Sequence, residues 1–97
     1  MTNFLDGLAD HATQLTYLVK QYCKGDDIVF NAIIAKANLI IEWLRTKRWQ
    51  KMIKGPVGET IIMLKKIASI KSEDDRKEIL EMTQKTLILM SQIKIDL

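Results

Sequence analysis

The apolar positions of this chain fall into four runs, each repeating at intervals of three and four residues, which is the spacing of one face of an α-helix. In the first run Phe4, Leu8, Ala12, Leu15, Val19 and Tyr22 share a narrow arc, with Leu5 and Leu18 at its edges. Thr2 or Asn3 can cap the start, Asp6 stands near the positive end of the helix dipole, and Lys20 and Lys24 near the negative end. Gly25 supplies the stop. The pattern predicts a helix over about residues 3–24.

Asp26 and Asp27 then cap and charge the start of a second helix. From Asp27 to Ile53 there is neither Gly nor Pro, and Phe30, Ile33, Ile34, Ala37, Ile40, Ile41 and Leu44 recur at helical spacing. One long helix over 27–53 is therefore expected, antiparallel to the first across the short Gly-Asp-Asp connection. Its apolar line continues into Arg48 and Lys51, where a core helix would carry its next two apolar side chains. The last two turns are accordingly expected to leave the core and project.

Gly55-Pro56-Val57-Gly58 is the one concentrated breaker signal, and Pro56 suits the opening of a new helix. The third helix, about 57–71, gathers Val57, Ile61, Leu64 and Ala68, with Thr60 and Ile67 beside them and Ile62, Met63 and Ile70 widening the apolar surface. Ser72-Glu73-Asp74-Asp75 resembles a capping box and opens a fourth helix, about 73–95. There Ile79, Met82, Thr83, Thr86, Met90 and Ile93 share the buried face. Ile88 and Ile95, seven residues apart, form a second stripe that a partner would cover. The fold expected is all-α, a single four-helix bundle-like domain spanning 1–97 that self-associates, a homodimer being the simplest form.

Composition narrows this little further. Ninety-seven residues at 47% hydrophobic suffice for one core, and four Gly with one Pro fit helices joined by short connections. A single Cys23 cannot form an internal disulfide, which favours a reducing compartment. The first ten residues have no basic and apolar signal-peptide pattern, and no apolar run approaches the roughly 20 residues of a spanning helix. A cytoplasmic protein is expected. Trp43 and Trp49 beside basic residues would suit anionic lipid, but the apolar residues are spread too widely around the long helix to lie in an interface, so membrane binding ranks last.

Charge carries the functional clue. Residues 45–71 hold Arg45, Lys47, Arg48, Lys51, Lys54, Lys65, Lys66 and Lys71 against Glu59 alone, net +7, leaving −4 for the rest of a chain whose total is +3. Lys47, Lys51 and Lys54 follow i, i+4, i+7 spacing, Arg48 widens the stripe, and Trp49 offers an aromatic surface. That is the pattern of a nucleic-acid backbone reader, and equally of a solvated helix end with cations at the negative pole of the dipole. Catalytic chemistry has little to work with. The one His and the one Cys lie twelve residues apart on one predicted helix, about 18 Å at ~1.5 Å per residue, too far for a dyad. No nucleophile elbow, phosphate-binding Gly loop or zinc spacing is present. Asp6 and Asp10 could join His11 around a metal, but an acidic first helix explains them more simply. His11 itself reads as a core-edge imidazole bonded to a neighbouring helix. The expectation is a non-enzymatic protein-interaction module without cofactor or metal: an adaptor, inhibitor or subunit of an assembly. Its candidate surfaces are the basic set Arg45, Lys47, Arg48, Trp49, Lys51, Lys54, Lys65 and Lys66, and the interface pair Ile88 and Ile95. The alternative is sequence-independent binding of DNA or RNA through the basic end of the long helix.

Overall fold

The computed structural model describes residues 3–70 and 76–95. The expected caps at Thr2 and at Ser72 to Asp75 lie outside the described residues, as does the side chain of Asn3. Among the described residues the chain forms α1 (Asn3–Cys23), a 3-10 turn (Asp27–Val29), α2 (Phe30–Leu44), a single-turn α3 (Lys47–Gln50), β1 (Ile53–Lys54), α4 (Val57–Ala68), α5 (Arg76–Ser91) and β2 (Lys94–Ile95). The four longer helices pack in a ring, α1 against α2, α2 against α4, α4 against α5, and α5 back against α1. The fold is all-α and bundle-like, with a two-stranded ribbon across one end.

The core is the set of apolar stripes turned inward. Phe4, Leu15, Val19 and Tyr22 of α1, Ile33, Ala37, Ile40 and Leu44 of α2, Leu64 and Ile67 of α4, and Ile79 of α5 are sealed from solvent. Three threonines are buried among them, and each satisfies its hydroxyl within its own helix. Thr60 donates to the Pro56 carbonyl at 2.6 Å, Thr83 to Ile79 at 2.7 Å and Thr86 to Met82 at 2.7 Å. A buried hydroxyl costs little under such bonding. No buried side-chain polar atom among the described residues lacks a partner.

The helix ends follow local chemistry. Gly25, at φ +105°, closes α1 in a Schellman motif: its N–H donates to the Tyr22 carbonyl and that of Asp26 to the Gln21 carbonyl. The Asp26 carboxylate then accepts from the Ile28 N–H and caps the 3-10 turn. Asp27 forms an ion pair with Arg76 at the start of α5. Arg76 also donates to the Tyr22 carbonyl at 2.8 Å and lies over the Tyr22 ring, 4.4 Å from its centroid. One guanidinium thus ties the first turn of α5 to the α1–α2 connection.

The long second helix departs from expectation. It does not run through 27–53 as one rod: Asp27 to Val29 are a 3-10 turn, and α2 ends at Leu44. Thr46 takes an extended conformation (φ −62°, ψ 124°), and its hydroxyl folds back onto the Glu42 carbonyl at 3.1 Å. A straight continuation would have carried Arg48 and Lys51 into the core line, and burying them unpaired is expensive. The break solves this. It reorients the chain so that Trp49 turns inward and Arg48 and Lys51 stay exposed. Instead of projecting, the segment folds over the end of the bundle. The fourth helix is shorter than 73–95 in the same way: α5 stops at Ser91, and Lys94 and Ile95 leave it to pair with β1.

Candidate functional site at the ribbon end

The ribbon is antiparallel, with Ile53 opposite Ile95 and Lys54 opposite Lys94. Directly opposed residues share a face and successive residues alternate, so the two isoleucines point one way and the two lysines the other. Ile53 and Ile95 pack on the core, while Lys54 and Lys94 are exposed. The strands reach this closeness because Gly55, at φ +112°, follows β1: a Cβ there would stand 2.6 Å from the Gln92 carbonyl oxygen.

Beside the ribbon an aromatic cluster seats α3. Phe4, fully buried, stacks on Trp43 with centroids 5.9 Å apart and meets Trp49 at 5.7 Å. The Trp43 indole N–H donates to the Phe4 carbonyl at 3.1 Å. Trp49 is therefore committed to packing, with Arg48 lying 5.1 Å from its ring centroid. The aromatic surface expected for a ligand is not free.

Arg45, Lys47, Arg48, Lys51 and Lys54 are all exposed at this end, contributed by the cap of α2, by α3, by the turn after it and by β1. Lys94 joins them from β2, and none of the six makes an ion pair with a described residue. Three exposed carboxylates flank the group, Asp6 in the first turn of α1, Glu42 in the last turn of α2 and Glu59 in the first turn of α4. Lys65 and Lys66 do not belong to this cluster. They stand in the last turn of α4, about 12 Å along the helix from Val57 at ~1.5 Å per residue, and face solvent near the other end of the bundle. Lys94 was not in the basic set read from the sequence. The sequence holds no adequate signal for it: Ile93-Lys94-Ile95 alternates over three positions only, and Met52-Ile53-Lys54 does not alternate.

The expected stripe of Ile88 and Ile95 is also taken apart. Ile88 is 61% exposed on α5, whereas Ile95 lies in β2 opposite Ile53 and is partly buried against the core. On the outer face of α5 Ile88 is surrounded by Glu81, Gln84 and Lys85, all exposed. An apolar groove of about 340 Å³ lies between α1 and α5, with Leu5, Leu8, Leu87, Met90 and Ile93 in its walls. It contains no titratable group.

His11 sits at the edge of the α1–α2 contact. Its ring meets Trp43 edge-on at 5.5 Å, and Lys36 of α2 approaches Nδ1 at 3.4 Å while also bonding Gln14. Burial, then the Lys36 charge, hold its pKa below the usual histidine value, and Asp10 opposes them. The neutral ring, with Nδ1 accepting, fits this arrangement. Among the described residues no three His, Cys, Asp or Glu side chains converge as metal ligands would, and no helix is long and apolar enough to cross a membrane. In comparisons with protein-family models, curated proteins and solved structures, the chain matches none at a significant level.

Proposed function

We propose that the chain is a non-enzymatic helical interaction module, an adaptor, inhibitor or subunit of a larger assembly, that engages an acidic partner through the ribbon end of the bundle. One observation carries the reading: six cations from separate elements converge on that end, none in an ion pair with a described residue, against three flanking carboxylates, an excess of +3. A solvated surface does not need this, because mixing both signs relieves the repulsion at no cost to the fold. The exposed, unpaired Cys23 accords with a cytoplasmic location. A homodimer through the last helix has weaker support. Its case rests on Ile88 alone, whose neighbours on that face are polar, and single exposed apolar residues are ordinary on a monomer surface.

Retention on heparin tests the reading. The parent should elute late in a salt gradient, and a variant with Arg45, Lys47, Arg48 and Lys51 changed to Gln should elute early. Lys65→Gln/Lys66→Gln, at the other end, should elute close to the parent. Equal elution of all three proteins would refute a basic end dedicated to binding.

A further inference from the structure

We infer that the partner of the ribbon end is the phosphate backbone of a double-stranded nucleic acid, with Lys54 and Lys94 acting as a paired phosphate contact. This rests on the reading of that end as the interaction surface and adds the class of partner. The opposed lysines are the first reason. Residues directly opposite on an antiparallel pair have Cβ atoms about 4.5–5.5 Å apart, and like charges there are unfavourable. Lys54 and Lys94 occupy such a pair, exposed, with no carboxylate among the described residues bound to either. Both ammonium groups ride on flexible four-carbon stems and can close on one anionic group from two sides. A phosphate diester set between them turns the repulsion into attraction.

Scale is the second reason. The bundle is 21 × 19 Å across. Duplex DNA carries a charge about every 1.7 Å of axis, so a face of this breadth spans on the order of a dozen phosphates, half of them on each strand. Six cations spread over the end match one such exposure. Asp6, Glu42 and Glu59 lie on separate helices around the group and leave its charge at +3 among the described residues.

Aromatic placement favours a duplex over a single strand. Single strands are held by bases stacked on exposed rings. Here Trp49 packs on Phe4 and Trp43 between Phe4 and His11, and the exposed aromatic side chain Tyr17 is far along α1. The same placement counts against an acidic protein, whose docking would centre on buried apolar anchors. The large exposed hydrophobics, Tyr17, Ile28, Leu39, Ile62 and Ile88, include none from α3, β1 or β2. Recognition by Lys and Arg of phosphates alone carries no base information, so binding is independent of sequence.

Fluorescence anisotropy with labelled duplex DNA, duplex RNA and the corresponding single strands, with polyglutamate as a fourth probe, tests this. Both duplexes should bind more tightly than the single strands, whatever their sequence. With at most six phosphate contacts, log affinity should fall with log salt at a slope no steeper than about −5, near a thousandfold between ~50 and ~200 mM. Lys54→Gln/Lys94→Gln, confirmed folded by circular dichroism, should make that slope shallower by about 0.9 for one shared phosphate or about 1.8 for two. Lys65→Gln/Lys66→Gln should leave it unchanged. Single strands binding as tightly as duplexes, or an unaltered slope in the Lys54/Lys94 variant, would overturn the inference. Binding of polyglutamate but of no duplex would leave the basic end as an interaction surface for an acidic protein and remove the nucleic acid. If no polyanion binds at low salt, both readings fall.

Discussion

Changing Gly55 to Ala isolates the energetic weight of the ribbon. Two separate penalties meet at this position. Its φ of +112° is one that L side chains rarely adopt, a cost of about 1–2 kcal/mol. The new methyl would also stand 2.6 Å from the Gln92 carbonyl oxygen and 3.2 Å from the Ile93 Cα. Both obstacles are backbone, so no rotamer change relieves the contact. The strands must part, with partial loss of ribbon hydrogen bonds at about 1 kcal/mol each. Stiffening of the unfolded chain returns about 0.4–1 kcal/mol. The net loss should be about 2–3 kcal/mol. Gly25→Ala is the control, because Gly25 has nearly the same φ, +105°, but no atom within 4 Å of the added methyl. It should lose only about 1 kcal/mol by the same reckoning. Urea unfolding followed by far-UV circular dichroism, at matching m-values, measures both. If the two variants are equally destabilised, the close approach of Gly55 to residues 92–93 has no energetic weight, and the account of the ribbon is wrong.

Four further outcomes are expected. His11 has a lowered pKa in the folded protein, so below about pH 6.5 the unfolded chain binds more protons and stability should fall with pH through that window. His11→Gln should flatten the dependence in unfolding curves taken between about pH 7.5 and 5.5. Leu64→Ala, at a fully buried position, should cost about 2–5 kcal/mol, while Ile62→Ala two residues earlier, 55% exposed, should stay within about 0.5 kcal/mol. Arg76→Ala removes the bond to the Tyr22 carbonyl and the contact with its ring, and should cost about 1–2 kcal/mol in thermal or urea unfolding; its partly exposed pair with Asp27 adds little. Ile95→Lys should destabilise by about 1–3 kcal/mol and Ile88→Lys by less than about 0.5 kcal/mol, and a drop in mass by light scattering for Ile88→Lys would restore the self-association reading.

The elements with a punctuating residue were legible in the sequence. Gly25 ends α1 within a residue of expectation, and Gly55-Pro56 marks the start of α4. The break in the second helix had no such mark. Thr46 is β-branched and mildly favours the extended backbone it adopts, but one such residue does not end a helix, and the cause is tertiary: two cations on the core line and a Trp one step away from it. The two-residue strands were equally hidden, since period-2 alternation needs more positions than Ile53-Lys54 or Lys94-Ile95 provide. The candidate site suffered from both effects. Proximity in sequence grouped Lys65 and Lys66 with the basic end, although a helix carries them away from it. Lys94 lies forty residues beyond Lys54 and reaches it only through the ribbon. Trp49 looked available because its burial depends on Phe4, at the opposite end of the α1–α2 hairpin's sequence.

The ribbon also imposes an order on assembly. Contacts between α1 and α2, and between α4 and α5, join neighbours in the chain, whereas pairing β1 with β2 closes a loop that contains both α4 and α5. Loop closure of that length is repaid only after the intervening helices have docked, so the ribbon belongs among the last contacts to form. Substitutions at Lys54, Gly55 or Lys94 should then speed unfolding and leave the refolding rate nearly unchanged, the mark of interactions absent from the transition state. Lys94 thus joins the five cations of residues 45–54 only after the hydrophobic core has condensed, and its repulsion with Lys54 acts on a bundle already made.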